Sequence, residues 1–284
     1  MYYLFKNKTL RSFIFRNVVR LILIFITFIY ILPFIWMLST SFKDDRELFL
    51  FPPKWFPWPP VWQNYNKALQ RFPFFKYLKN SAIITVGALI GTLLSCPLVA
   101  YGFSKIRWKG RDFFFYLMLS TMMLPGAVTI IPTFMIFKTL GWINTFLPLI
   151  VPAFLGGGAG SIFLVRQFFN TIPDDLVDAA KVDGASDLQI YLRIVLPLAK
   201  PVLFLISLFT FLGAWNNYFG PLIYLTDENK YPLSLGLPTF FSLYGTYWNQ
   251  MMAAATMSVI PTIIFFVIAQ KYLIEGIKIT GIKE

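Results

Sequence analysis

The chain has 284 residues, 57% hydrophobic and only 13% charged, with a mean hydropathy of +0.64. A soluble domain has about a quarter of its residues charged, so this composition excludes a water-soluble globule and makes lipid the main solvent. A net charge of +12 would point to nucleic acid in a soluble protein. Here lysine and arginine flank apolar runs, where they set membrane orientation, and no nucleic-acid partner is expected. The single cysteine, Cys96, lies in an apolar run and allows no disulfide within the chain. Histidine, the commonest general base and metal ligand near neutral pH, is missing altogether. No catalytic or metal-ligating residue is assigned.

Taken in order, residues 1–20 carry Lys6, Lys8, Arg11, Arg16 and Arg20 and no acid, which predicts a cytoplasmic N-terminus. The charge-free run over 21–42 is longer than the apolar region of a signal peptide and has no small-residue cleavage site after it. It is read as a retained first span. Residues 43–79 are rich in proline and tryptophan, including Pro52, Pro53, Pro57, Pro59, Pro60, Trp55, Trp58 and Trp62. Proline clusters oppose regular helix and tryptophan suits the membrane interface, so a loop over the outer face is expected.

Five further spans follow at about 80–104, 113–137, 144–165, 201–226 and 251–271. Each reaches the roughly 20 residues needed to cross a hydrocarbon core. Together they predict an all-α integral membrane protein of six transmembrane helices, with one domain over 21–274 and a cytoplasmic tail over 275–284. The basic turn from Lys105 to Asp112 places the second connection in the cytoplasm, and parity with the N-terminus agrees. Gly156, Gly157, Gly158 and Gly160 are not followed by Gly-Lys-Ser/Thr, so they form no phosphate cradle.

Between spans 4 and 5 lies a long polar stretch, residues 170–200, holding Asp174, Asp175, Asp178, Asp183 and Asp187. It predicts a helix-turn-helix. Pro173 suits a first helical position, and Asp174 and Asp175 favour the dipole of the first turn. Gly184 is a left-handed stop, and Ser186 or Asp187 caps the second helix. Leu188, Tyr191, Ile194 and Val195 recur at helical spacing and predict one apolar face. The spans contain no titratable group able to hold a coupling ion, and the chain has no nucleotide-binding loop. Energy is therefore expected from another polypeptide or not at all, and this cytoplasmic platform is the surface able to receive it.

Asp178-Ala179-Ala180, Asp183-Gly184-Ala185, Ile194 and Leu196-Pro197 resemble the EAA motif of ABC-importer permeases, which reads Glu-Ala-Ala, three residues, Gly, about nine residues, Ile-x-Leu-Pro. The chain departs from it at Asp178, one methylene shorter than the usual Glu. The resemblance runs over most of the chain and is closest to the smaller permease of maltose-type carbohydrate importers. Phe51-Pro52-Pro53-Lys54-Trp55, Met123-Leu124-Pro125, Ile131-Pro132 and Gly213-Ala214-Trp215-Asn216-Asn217-Tyr218-Phe219 are similar to segments of that family.

The resemblance implies a coupling loop whose Asp178, Ala179, Ala180, Asp183, Gly184, Leu188, Tyr191, Ile194, Leu196 and Pro197 meet an ATPase dimer. It implies that ATP and magnesium bind that partner rather than this chain. It further implies a second permease subunit, an extracytoplasmic solute-binding protein, a sugar substrate, and residence in a bacterial or archaeal plasma membrane. Trp215, Asn216, Asn217 and Tyr218 have the chemistry of a sugar pathway, with aromatic faces to stack on a ring and amides to bond hydroxyls. Two other readings remain open at this point: an ion-coupled secondary transporter, and a membrane-embedded enzyme acting on lipid-linked substrates.

Overall fold

A computed structural model describes residues 8–242 and 245–280. Parts of the expected cytoplasmic ends, residues 1–7 and 281–284, lie outside the described residues. The chain runs α1 (Lys8–Ser41), α2 (Gln63–Arg71), α3 (Phe74–Ser104), α4 (Arg111–Ser120), α5 (Gly126–Thr139), α6 (Leu147–Ile150) and α7 (Ala159–Asn170). It continues through α8 (Asp174–Val182), α9 (Asp187–Ile190), α10 (Leu196–Leu198), α11 (Lys200–Trp215), α12 (Phe219–Tyr224), α13 (Leu233–Gly236) and α14 (Trp248–Thr280). One antiparallel pair, β1 (Phe241–Ser242) and β2 (Gly245–Thr246), interrupts the helices before α14. The expected all-α fold therefore holds except at this two-residue ladder.

Phe15–Ser41, Phe74–Ser104, Leu147–Asn170 and Trp248–Lys271 are each long and apolar enough to cross a membrane. Two bent pairs bring the number to six if each pair is one span: Arg111–Met123 with Gly126–Thr139, and Asp187–Leu198 with Lys200–Trp215. The expectation of a continuous helix over 113–137 is corrected. The chain turns by 104° between α4 and α5, because Pro125 denies the helix an N–H and pushes Leu124 into an extended conformation (ψ 118°). The run over 201–226 is likewise broken, at Asn216–Tyr218 between α11 and α12. Residues 43–79 are not all loop either. α2 forms beyond the proline cluster, and α3 begins at Phe74, six residues before the charge-free run.

Cα packing divides the chain into two compact units. The first comprises residues 1–72 and 239–257. The amide of Asn64 donates to the carbonyls of Ser41 and Lys43, both at 2.9 Å, and the amide of Asn249 donates to Lys43 O at 3.2 Å and Asp45 Oδ1 at 2.8 Å. These bonds satisfy carbonyls left open where α1 ends. The Lys43 ammonium lies 3.6 Å from the centroid of Trp36, and burial pushes its pKa down.

The second unit comprises residues 73–238 and 258–284. α3 is its axis and packs along α7 and α11. A core of Cys96, Ala100, Tyr101, Val165, Phe169, Ile190, Val195 and Ile206 closes around it. The expected fourth span is broken at Leu155–Gly158, where the backbone passes close to α3. Gly157 has φ +67°, and a Cβ there would sit 2.6 Å from Thr92 Cγ2, so only glycine fits. The freed backbone groups find a partner in Ser95, whose hydroxyl lies 2.9 Å from Ala153 O and accepts the Gly156 N–H at 3.0 Å. Such repair is what lets a broken helix persist at membrane depth. At the other end of α3, the Asn80 amide donates to the carbonyls of Asn229 and Tyr231, both at 2.9 Å. Asn144 adopts φ +61°, and its Oδ1 accepts the N–H groups of Thr226 and Asp227 at 3.2 and 3.0 Å.

Candidate functional site

The polar stretch after α7 folds as two helices joined by a capped turn. Pro173 stands one residue before α8, in an extended conformation, and Asp174 and Asp175 occupy the first turn. The end of α8 is a Schellman motif: the Gly184 N–H reaches Lys181 O at 3.0 Å and the Ala185 N–H reaches Ala180 O at 2.9 Å. Gly184, at φ +82°, makes that reversal at no Cβ cost. Ser186 caps α9. The Gln189 N–H donates to Ser186 Oγ at 3.3 Å, and the Ser186 N–H donates to Gln189 Oε1 at 2.9 Å. This reciprocal pair is a capping box. Lys181 and Asp187 form an ion pair at 3.5 Å across the break.

A π-helical turn over Tyr191–Val195 continues α9 into α10. The single apolar face expected from Leu188, Tyr191, Ile194 and Val195 is divided between core and surface. Ile190, Tyr191 and Val195 are buried in this chain's own core, with the Tyr191 ring 5.2 Å from that of Tyr101. Ile194 and Leu196 pack half-buried against that core. Leu188 points the other way and is 60% exposed. The hairpin is thus seated by Ile172, Val177, Ile190, Tyr191 and Val195. Its outer face presents Asp178, Ala179, Asp183, Gly184, Leu188 and Pro197, and Ala180 is half-buried. Three exposed apolar side chains of the hairpin escaped the sequence reading: Leu176, Val182 (88% exposed) and Leu192.

A polar pocket of about 530 Å³ lies where the 104–111 turn meets α8, lined by Arg107, Arg111, Asp174, Asp178, Lys181 and Asp187 among others. At its wall, Lys105 Nζ donates to Ile172 O and to Asp174 Oδ1, both at 2.6 Å. The hydrogen bond and charge of Lys105 hold the Asp174 carboxyl below the usual carboxylate range. Beside it, Arg166 donates from Nε to Phe103 O at 3.0 Å, sits 3.5 Å from Asp112 Oδ1 and lies over the Phe115 ring at 3.9 Å.

The Trp215–Tyr218 segment is mostly occupied with its own fold. Trp215 is 7% exposed. It stacks on Phe211 at 5.5 Å and donates its indole N–H to Ser258 O at 3.2 Å. Asn217 Oδ1 accepts the Gly220 N–H at 3.0 Å, and Asn217 O accepts the Ser234 hydroxyl at 2.7 Å. Asn216 is exposed and Tyr218 half-buried.

Apolar helices long enough to cross a membrane, two bent pairs and one seated polar hairpin define the class: a multi-pass membrane protein. Residues 87–279 match the family described as "Binding-protein-dependent transport system inner membrane component", and the chain belongs to that family. It is similar to the arabinooligosaccharides transport system permease protein AraQ of Halalkalibacterium halodurans, at 30% identity over 91% of this chain and 93% of the relative. It is also similar to the inner membrane ABC transporter permease protein YcjP of Escherichia coli, at 31% over 88% and 90%. A third relative is the sn-glycerol-3-phosphate transport system permease protein UgpE of Yersinia pestis, at 33% over 82% and 85%. Among solved structures, a chain of a bacterial ABC transporter involved in the import of the acidic polysaccharide alginate superposes with a TM-score of 0.78. That chain is 28% identical, over 94% of this chain and 99% of its own length. The chain is accordingly a permease subunit of an ABC importer, and the EAA-type resemblance belongs to that family.

Proposed function

We propose that this chain carries a sugar or oligosaccharide across a bacterial or archaeal plasma membrane, driven by an ATPase that docks on the α8–α9 hairpin. Both chain ends and the hairpin face the cytoplasm on this reading. A second permease subunit completes the pathway, an extracytoplasmic binding protein delivers the solute, and ATP and magnesium are bound by a dimeric ATPase rather than by this chain. The observation that carries the reading is the two-sidedness of the hairpin. Its inner face is locked into the core by Val177, Ile190, Tyr191 and Val195, while Leu176, Val182 and Leu188 stand exposed beside Asp178 and Asp183. Exposed apolar side chains rimmed by polar ones mark an interaction surface, and the relatives' named solutes favour carbohydrate. Asn216 and Tyr218 remain open to a solute pathway, whereas Tyr191 and Trp215 act within the fold.

The test is co-purification of the assembled importer carrying Val182→Asp with Leu188→Asp. Both positions are exposed, so the permease stays in the membrane at its normal level. The expected result is loss of the ATPase subunits by at least about tenfold, as for truncation of interface anchors. A complex that retains its ATPase and its ATP-driven uptake after both changes would overturn the docking surface.

A further inference from the structure

Lys105 stands where two parts of the second unit meet. It is the first residue beyond α3 and caps that helix, its N–H donating to Tyr101 O at 2.9 Å. Its side chain, only 3% exposed, crosses to the α7–α8 junction. There a single ammonium group holds the carbonyl of Ile172 and the carboxylate of Asp174, each at 2.6 Å. Ile172 precedes the proline that starts α8, and Asp174 is the first residue of α8. The cation therefore grips the hairpin at its root, on both sides of Pro173.

A charge-assisted bond is shorter and stronger than a neutral one. The Lys105 ammonium is shielded from water while the Asp174 carboxylate is open to it, so removing the ammonium leaves the Ile172 carbonyl without this donor and the carboxylate to solvent. Lys181–Asp187 and Arg111–Asp112 are both more open to water than the Lys105 ammonium. Within α8 itself Val177 is the buried side chain, and the rest of the apolar seat lies in the segments before and after that helix. The ammonium supplies a second fixed point, at the end of the helix that forms the axis of the unit.

We infer that Lys105 is a positioning residue that makes α8 and the end of α3 move as one body, so that displacement of the hairpin is delivered to the membrane-spanning helices. This rests on the docking reading above and adds the route by which motion leaves the docked surface. The test uses the full importer complex in lipid nanodiscs, with Cys96→Ala and spin labels at positions 98 on α3 and 175 on α8. Leu98 and Asp175 are both exposed, and neither lies among the docking side chains. Distances are measured without nucleotide and after trapping with ATP and vanadate.

In the otherwise unaltered complex a single distance distribution is expected, the same in both states. Lys105→Met is expected to widen it, because both bonds at the root of α8 are lost, and to let it shift on trapping. Lys105→Arg restores the narrow distribution. Asp174→Asn widens it less, because the Ile172 carbonyl is still held. An unchanged distribution in Lys105→Met, or a shift on trapping in the unaltered complex, would overturn the inference. If Lys105→Met does not assemble, Asp174→Asn decides, because that carboxylate is 68% exposed and an unaltered distribution there refutes the tether. Failure to trap any nucleotide in the unaltered complex refutes the docking reading instead, while the nucleotide-free comparison still decides the role of Lys105.

Discussion

The indole N–H of Trp215 donates to the carbonyl of Ser258 at 3.2 Å. The bond ties the end of α11 to the last helix and uses the one polar atom with which Trp215 could bind a sugar hydroxyl. Trp215→Phe keeps a ring on Phe211 and loses this bond together with part of the buried indole volume. A net loss of at least about 1 kcal/mol is expected from the bond, with a cavity cost added, read as a lower thermal midpoint in detergent. The solute concentration that half-saturates uptake is expected to stay the same. A raised half-saturating concentration with an unchanged midpoint would put Trp215 on the solute pathway.

The reversal at Gly184 is purely a matter of backbone. Its φ is +82°, and nothing lies within 4 Å of where a Cβ would be. Gly184→Ala is expected to cost about 1–2 kcal/mol from left-handed strain alone. Gly184→Asn is expected to cost less, because asparagine tolerates that region. Hydrogen exchange at residues 184–190 reads the difference as faster opening of the hairpin in the alanine variant.

Gly157 is the opposite case, where strain and crowding coincide. A Cβ there meets Thr92 at 2.6 Å. Gly157→Ala is expected to destabilise the chain by about 1–3 kcal/mol through overpacking, added to the cost of its φ. Thr92→Ala in the same chain is expected to recover the crowding part and leave the backbone part. A double-mutant cycle of thermal midpoints with no coupling between the two sites would refute the close approach of the Gly156–Gly158 break to α3.

The Lys105–Asp174 pair carries a pH dependence with a definite sign. The carboxyl pKa is lowered in the folded chain. The stability it contributes is therefore present in full above the ordinary aspartate value and lost as pH falls through the lowered one. The native chain is expected to exceed Asp174→Asn in thermal midpoint at neutral pH, and the difference is expected to close on acidification below the usual carboxylate range. A difference that persists in strong acid would assign the effect to shape rather than charge.

The sequence disclosed most where structure is set by neighbours in the chain. The Gly184 stop, the Ser186 cap and the Asp174–Asp175 first turn depend on bonds spanning three to five residues, and all three lie where the local chemistry puts them. The apolar runs are equally plain, because lipid tolerates little else. Direction was hidden. Pro125 lies in an unbroken apolar run, yet the chain turns there by 104°, an angle that periodicity does not report. The start of α3 was obscured by Lys76 and Lys79, which tolerate a helix end near water but break a count of apolar residues. A period of 3.6 puts Leu188 and Tyr191 on one face, yet Leu188 is exposed and Tyr191 is buried: the side of the helix that meets the core is set by tertiary packing and not by periodicity.

That wide turn at Tyr191–Val195 has a bearing on insertions and deletions. A π turn closes its hydrogen bonds over five residues where an α turn uses four, so removing one residue here would let an ordinary helix form with Leu188 and Ile190 in nearly their present directions. The same loss within Asp187–Ile190 would instead swing everything upstream through about 100°, carrying the Ser186 cap and the Gly184 reversal around the axis. The π turn is therefore the place between Ser186 and Pro197 that best tolerates a shorter chain.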